Sequence, residues 1–152
     1  MTEAKLAPNL PGWMVEHANR YLSSGGADGH MHTPTQPGRP NITVPSLLLT
    51  TTGRKSGERF IFPLYYGKAG DSYIVVASKG GAPQHPGWYR NLLAHPDVKI
   101  QVHDKVIPIR ARTGTAEDKR RVWPVMTAQW PDYDKYQAGT KRDIPVVLLS
   151  PR

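Results

Sequence analysis

The sequence predicts an α+β, mainly β fold: a small barrel of about six mostly antiparallel strands with peripheral helices. Three observations predict it. From Val44 onward, runs rich in β-branched and aromatic residues recur. Several are joined by only a few turn-forming residues, which suits hairpins. The alternation of strand and helix that builds a parallel doubly wound sheet is absent.

Leu10 to Leu22 reads as a short helix, with Trp13, Met14, Ala18 and Tyr21 at helical spacing and His17 beside them. Ser23 to Pro45 carries four glycines and four prolines and is expected to be a loop or lid outside the core. PSLLLTTT is the first strand and FIFPLYYG the second, with GRKSGE as the turn between them. DSYIVVAS, Asp71 to Ser78, is the third, and the short GKAGD connection implies a hairpin with the second. Pro86 to Ala94 reads as a helix with proline in its first turn. VKIQV and KVIPIRAR form a hairpin around His103 and Asp104, with Pro108 at an edge or bulge. Thr115 caps a helix with acids in its first turn, which Pro124 interrupts or kinks. A short helical piece, PDYDKYQ, precedes the last strand, IPVVLLS. The expected organisation is an N-terminal helix and Gly/Pro-rich loop over residues 1–45 and a barrel over residues 46–152, one globular domain overall.

The 152 residues include no cysteine, which excludes disulfides, thiolate metal sites and cysteine nucleophiles. No stretch approaches the apolar length of a membrane span, and no signal core follows the N-terminus, so a cytoplasmic protein is the expectation. The net charge of +8 favours anionic partners. It is dispersed, which suits a folded pocket better than a nucleic-acid-binding tail.

Four constellations could carry chemistry. In TTTGRKSG, a strand ends in a turn whose backbone N–H groups, with Arg54, Lys55 and Ser56, form either an anion-binding concavity or a solvated cationic turn. Ala77-Ser78-Lys79-Gly80-Gly81 gathers a hydroxyl, an ammonium and a flexible backbone at another strand end, or merely terminates that strand. Whether the two segments converge depends on register. His85 to Asn91 places Trp88, Tyr89 and Asn91 at a helix start, where the aromatics can be core but the amide needs a partner. Trp130, Tyr133 and Tyr136, spaced by three, would share one helical face as pocket wall or as core. Asp28, His30 and His32 alternate in a Gly-rich loop without a further ligand of suitable spacing, so no metal is expected.

Residues 47 to 151 resemble, nearly end to end, the deazaflavin-dependent nitroreductase/quinone reductase family. The resemblance rests on LLLTTTGRKSG, PLYY, VVASKGG followed by PxWYxNLxAxP, and YDKYQ with TxRxIPVVxLxP. It implies a split β-barrel of the FMN-binding, pyridoxamine-phosphate-oxidase-like type that binds reduced coenzyme F420. It further implies that Arg54, Lys55 and Ser56 hold the coenzyme's phosphate and acidic tail. Pro63, Leu64 and Tyr65 would line the deazaflavin ring, with Ala77, Ser78 and Lys79 on its other flank and Trp88, Tyr89 and Asn91 completing the site. Tyr133 and Tyr136 would gate the substrate face, joined by Trp130 where a family member has tyrosine, a departure that bears on the acceptor. Arg59 is one position earlier than the family's arginine; in a strand that slip turns the side chain to the opposite face, so it ranks below Lys55.

The implied function is hydride transfer from reduced deazaflavin to a quinone, nitroaromatic or similar planar electrophile, with Ser78 and Tyr133 as catalytic candidates. The alternatives are an FMN-dependent reductase of the same fold and a non-catalytic protein that binds a cofactor, haem or lipid. The expected partner is a small-molecule electron acceptor, not nucleic acid. The assembly is a monomer or homodimer, with peripheral membrane contact for quinone access kept open.

Overall fold

A computed structural model describes residues 4–33 and 42–152. Nine strands among these residues join one sheet in the order β1-β4-β3-β7-β8-β9-β6-β5, with β2 pairing β3 off that path. They are β1 (Lys5–Leu6), β2 (Met31–His32), β3 (Val44–Thr52), β4 (Arg59–Tyr65), β5 (Gly67–Ala69), β6 (Ser72–Val76), β7 (Asp97–Val102), β8 (Lys105–Thr113) and β9 (Val146–Pro151). Every pairing is antiparallel except β1 with β4. The expectation of six strands is therefore corrected to nine. The additions, β1, β2 and β5, are two or three residues long, too short to show a period in sequence.

The expected hairpin between the second and third long strands is also corrected. β4 pairs with β3 and β1, and it is β5 that turns back on β6 around Gly70. The corner is Gly67, where an added Cβ would lie 2.7 Å from Met126 Sδ. The chain passes so close to a helix there that β4 cannot simply continue.

β3 is buried on both faces, which explains its unbroken LLL run. Leu47 and Leu49 enter the barrel interior with Val75, Ile100, Ile109, Val147 and Leu149. The helix α2 (Gly87–Ala94) plugs that interior with Trp88, Tyr89 and Leu92. On the outer face of β6 and β9, Ile74, Val76 and Val146 pack under α3 (Ala116–Gln129) and α4 (Asp132–Ala138) through Val122, Met126, Trp130 and Tyr133. The N-terminal helix α1 (Gly12–Ser23) covers Leu48 and Ile61 with Ala18 and Tyr21.

Local chemistry agrees with these placements. Thr115 and Asp118 form a reciprocal capping box at the start of α3, which continues through Pro124. Pro108 sits opposite Lys99, and its carbonyl accepts from the Arg152 N–H. Its missing donor therefore faces the end of β9, and no bond to β7 is lost.

The Gly/Pro-rich loop 23–45, expected outside the core, is not wholly so. Val44 is fully buried, and Gly26 packs against the backbone of His103. Residues 34–41 of that loop lie outside the described residues.

Candidate functional site

The cationic turn hangs from the end of β3. Gly53 N–H donates to the Glu58 carbonyl at 2.6 Å and Gly57 N–H to the Gly53 carbonyl at 2.9 Å, which closes it. Asn91, buried on α2, grips it from beneath. Its Oδ1 accepts from the Arg54 backbone N–H at 3.2 Å and from Arg54 Nη1 at 2.8 Å, while its Nδ2 donates to Thr51 Oγ1 at 3.2 Å. The partner that this amide needed is thus the turn itself. Lys55 and Ser56 stand exposed at its tip.

The second strand end follows β6. Lys79, Gly80 and Gly81 take left-handed φ values of 46°, 64° and 84° in succession, and the Gly81 N–H donates to the Ser78 carbonyl at 2.9 Å. Gly81 also lies against α4, where a Cβ would be 3.0 Å from the Tyr136 carbonyl oxygen. This packing sets the loop beside the aromatic residues of α4.

Both strand ends open into one cavity of about 860 Å³, within the usual range for small-molecule and cofactor sites. Arg54, Lys55, Ser56, Ser78 and Lys79 give it cationic and hydroxyl-bearing walls. Pro63, Leu64, Tyr65, Trp88, Trp130, Tyr133 and Tyr136 line the remainder, and Asn91 closes its floor. The three spaced aromatics do not share one helix: Trp130 ends α3 at φ −142°, and Tyr133 and Tyr136 follow on α4. Pro131 accounts for the break, because the residue before proline is driven out of the helical region. All three still face the cavity, with Trp130 set against Tyr65 at 5.3 Å between ring centroids.

Three expected residues do not line it. Arg59 opens β4 opposite Thr52, and its neighbour Phe60 faces the cavity instead. Ala77 is fully enclosed in the barrel interior, and Tyr89 is core, its hydroxyl paired with Thr113 Oγ1 at 2.7 Å. Phe60 and Phe62 do line it; sequence reasoning overlooked them, although the period-two alternation of β4 carries the signal.

A further wall comes from the N-terminus, where Ala7 to Pro11, Trp13, Met14 and His17 face the cavity. His32 stacks between Trp13 and His17, 5.8 and 4.0 Å away, and its Nδ1 pairs with the Tyr65 hydroxyl at 3.0 Å. His30 pairs with the Tyr66 hydroxyl at 2.8 Å. Among the described residues no group of three or more His, Cys, Asp or Glu is placed to hold a metal.

Burial, then the charges of His17 and Arg20, hold His32 down at about 4. Burial likewise lowers His17 and His30. These rings are neutral in the folded chain at pH values where the unfolded chain begins to protonate. Stability is therefore full above the ordinary histidine value of 6.5 and falls as pH drops from there toward 4. Urea titrations at the two ends of that window should differ by on the order of 1–2 kcal/mol, allowing for solvent screening of a half-buried ring. His32→Gln, which keeps a partner for Tyr65 but does not titrate, should show a shallower dependence. An unchanged slope would remove His32 from the effect.

A family model described as F420H(2)-dependent quinone reductase matches residues 13–151. An F420H(2)-dependent quinone reductase of Mycobacterium tuberculosis is 41% identical over 139 residues, covering 90% of this chain and 88% of that protein. A solved structure described as an F420-H2 dependent reductase superposes at TM-score 0.64 with 38% identity, covering 78% of this chain and 98% of that one. A domain-swapped dimer superposes at 0.67, also with 38% identity, covering 91% of this chain and 97% of that one. HutZ, the haem storage protein of Vibrio cholerae, shares the fold at TM-score 0.55 and 16% identity, over 70% of this chain and 81% of its own. The architecture is that of the split β-barrels.

Proposed function

This chain belongs to the F420H(2)-dependent quinone reductase family and is an oxidoreductase that uses reduced coenzyme F420, and we propose that the cavity between the two strand ends is where coenzyme and acceptor meet. One observation carries the assignment: cationic and hydroxyl-bearing side chains and a set of aromatic rings line the same cavity. That donor set suits a molecule with a flat ring at one end and an anionic tail at the other.

In this reading Arg54, Lys55 and Ser56 hold the phosphate and acidic tail. Arg54 is pre-set for it by Asn91, which fixes both its backbone and its guanidinium. Pro63, Leu64 and Tyr65 line the ring, Ser78 and Lys79 flank it, and Trp88 with Asn91 closes the helix end. Ala77 and Tyr89 support these residues from the barrel interior. The bound reduced deazaflavin supplies a hydride. Trp130, Tyr133 and Tyr136 stack a planar quinone, nitroaromatic or similar electrophile and exclude water. Hydride arrival leaves negative charge on an acceptor oxygen, which the hydroxyls of Ser78 and Tyr133 stabilise by donating to it. Burial, first, and the neighbouring Tyr65 and Tyr136 raise Tyr133 well above the ordinary phenol value, so it keeps its proton at neutral pH.

Calorimetric titration of the protein with coenzyme F420, and with FMN in parallel, tests the reading. Saturable F420 binding is expected, and its absence would end it. Lys55→Ala should weaken coenzyme binding about tenfold. Ser78→Ala should slow turnover about a hundredfold at nearly constant affinity. An unchanged affinity in the first variant would remove Lys55 from the tail site, and a large affinity loss in the second would make Ser78 a binder.

The 38% identical domain-swapped dimer supports a homodimer for this chain, which light scattering can read. No helix among the described residues is long and apolar enough to cross a membrane. The location that fits is the cytoplasm, with peripheral membrane contact if the acceptor is a lipid-dissolved quinone.

A further inference from the structure

We propose that Arg142 is a positioning residue for coenzyme binding: its guanidinium moulds the loop 77–82 into its binding shape and ties that loop to the helix of the acceptor aromatics. The inference rests on the reading that this loop flanks the coenzyme. Arg142 lies between α4 and β9 in the chain and is not among the cavity-lining residues.

Four contacts carry the inference. Arg142 Nε donates to the Ala82 carbonyl at 2.8 Å and Nη2 to the Ser78 carbonyl at 2.7 Å. Nη1 reaches the Ala77 carbonyl at 3.2 Å and His85 Nδ1 at 3.0 Å. Guanidinium only donates, so His85 Nδ1 accepts and its ring proton sits on Nε2. The fork thus spans both ends of the loop at once. A lysine ammonium offers donors from a single point and cannot bridge Ser78 and Ala82 in that manner.

The geometry has a consequence for the opposite side. A trans peptide is planar, with its C=O and N–H pointing in opposite directions. Aiming the carbonyls of Ala77 and Ser78 at Arg142 therefore turns the N–H groups of Ser78 and Lys79 away from it. Both residues carry polar side chains, and both line the cavity. Lys79 also holds φ 46°, a left-handed conformation that a residue with a side chain adopts rarely and keeps only where its surroundings enforce it. The Arg142 clamp on the preceding carbonyl and on Ala82 is that enforcement.

Arg142 is in turn held by α4. Gln137 Nε2 donates to its backbone carbonyl at 2.8 Å, and Gln137 Oε1 accepts from the Ile144 N–H at 2.9 Å and from Lys119 Nζ at 2.7 Å. Gln137 follows Tyr136 directly, and Tyr136 is the residue whose backbone meets Gly81. One arginine thus links the coenzyme loop to the helix of Tyr133 and Tyr136.

The test compares wild type, Arg142→Lys and Arg142→Ala. Calorimetry with coenzyme F420 gives affinity; amide hydrogen exchange of the coenzyme-free protein gives loop order; thermal unfolding gives global stability. Losing the charge-assisted bridge between the Ser78 and Ala82 carbonyls should weaken coenzyme binding about tenfold or more in both variants. Exchange should accelerate in residues 78–82 while the strands β3, β7 and β8 keep wild-type protection. Millimolar guanidinium should restore part of the affinity to Arg142→Ala, and sodium chloride of equal ionic strength should not. The proposal is overturned if Arg142→Lys binds within about twofold of wild type. It is equally overturned if protection falls across the whole barrel, which makes the residue structural only. Should Arg142→Ala fail to fold, Arg142→Lys decides alone. Should wild type bind no coenzyme, the coenzyme reading fails, and unaltered loop exchange in Arg142→Lys would overturn the clamp as well.

Discussion

Gly26→Ala is expected to cost roughly 4 kcal/mol or more, a large share of the stability of a domain this size. Gly26 follows α1 at φ +90°, and a Cβ there would sit 2.0 Å from the His103 carbonyl oxygen and 2.5 Å from its Cα. The obstacle is backbone, so no side chain can rotate away. His103 is itself pinned: it holds φ 56° at the β7–β8 turn, and its N–H donates to the Tyr21 hydroxyl at 2.7 Å. Tyr21 is fully buried, and its carbonyl accepts from the Gly26 N–H at 2.8 Å. Added bulk must therefore push α1 off the barrel or break the hairpin turn. Gly25→Ala is the matched control, since φ is +64° but nothing lies within 4 Å of its Cβ. It should cost only about 1 kcal/mol. Equal urea midpoints for the two variants would refute this packing.

Asn91→Leu should be nearly as damaging, and it should damage binding too. Leucine fills the same space but leaves the Arg54 N–H and Thr51 Oγ1 without their buried partner. Each such loss costs about 1–3 kcal/mol, so a loss of roughly 3 kcal/mol in stability is expected. The Arg54 guanidinium is released at the same time, and coenzyme affinity should fall by about a hundredfold. Asn91→Asp separates the two effects: a carboxylate still accepts from Arg54 but cannot donate to Thr51. It should retain more affinity than the leucine variant while remaining less stable than wild type. If both variants bind coenzyme as wild type does, the turn does not depend on α2 for its shape.

What could be read from sequence follows from which interactions are local. The six long strands announce themselves through β-branched runs and tight turns, and the Thr115 cap through its own spacing. Strands of two or three residues have no such signature and exist because a neighbour's edge receives them. The meeting of the GRKSG turn with the Ser78–Lys79 loop was unreadable because β7, β8 and β9 all stand between β3 and β6 in the sheet. Ala77 adjoins Ser78 in sequence, yet strand parity sends it into the barrel interior. Trp13 and Met14 carry the helical spacing of a core face. They line the cavity instead, because α1 docks through Ala18 and Tyr21 farther along. Arg142 belongs to a recognisable motif, but its role depends on carbonyls some sixty residues upstream, which no period encodes.

The cavity draws its cationic lining from strand termini and their turns, and half of its aromatic lining from helices laid over the outside of the sheet. Those two parts can drift at different speeds. With coenzyme and acceptor seated as proposed, descendants of this chain would exchange the oxidants they consume by rewriting surface helices, while the barrel goes on accepting the same reductant. Grafting residues 7–17 or 130–138 between relatives is accordingly a practical route to new acceptor preferences.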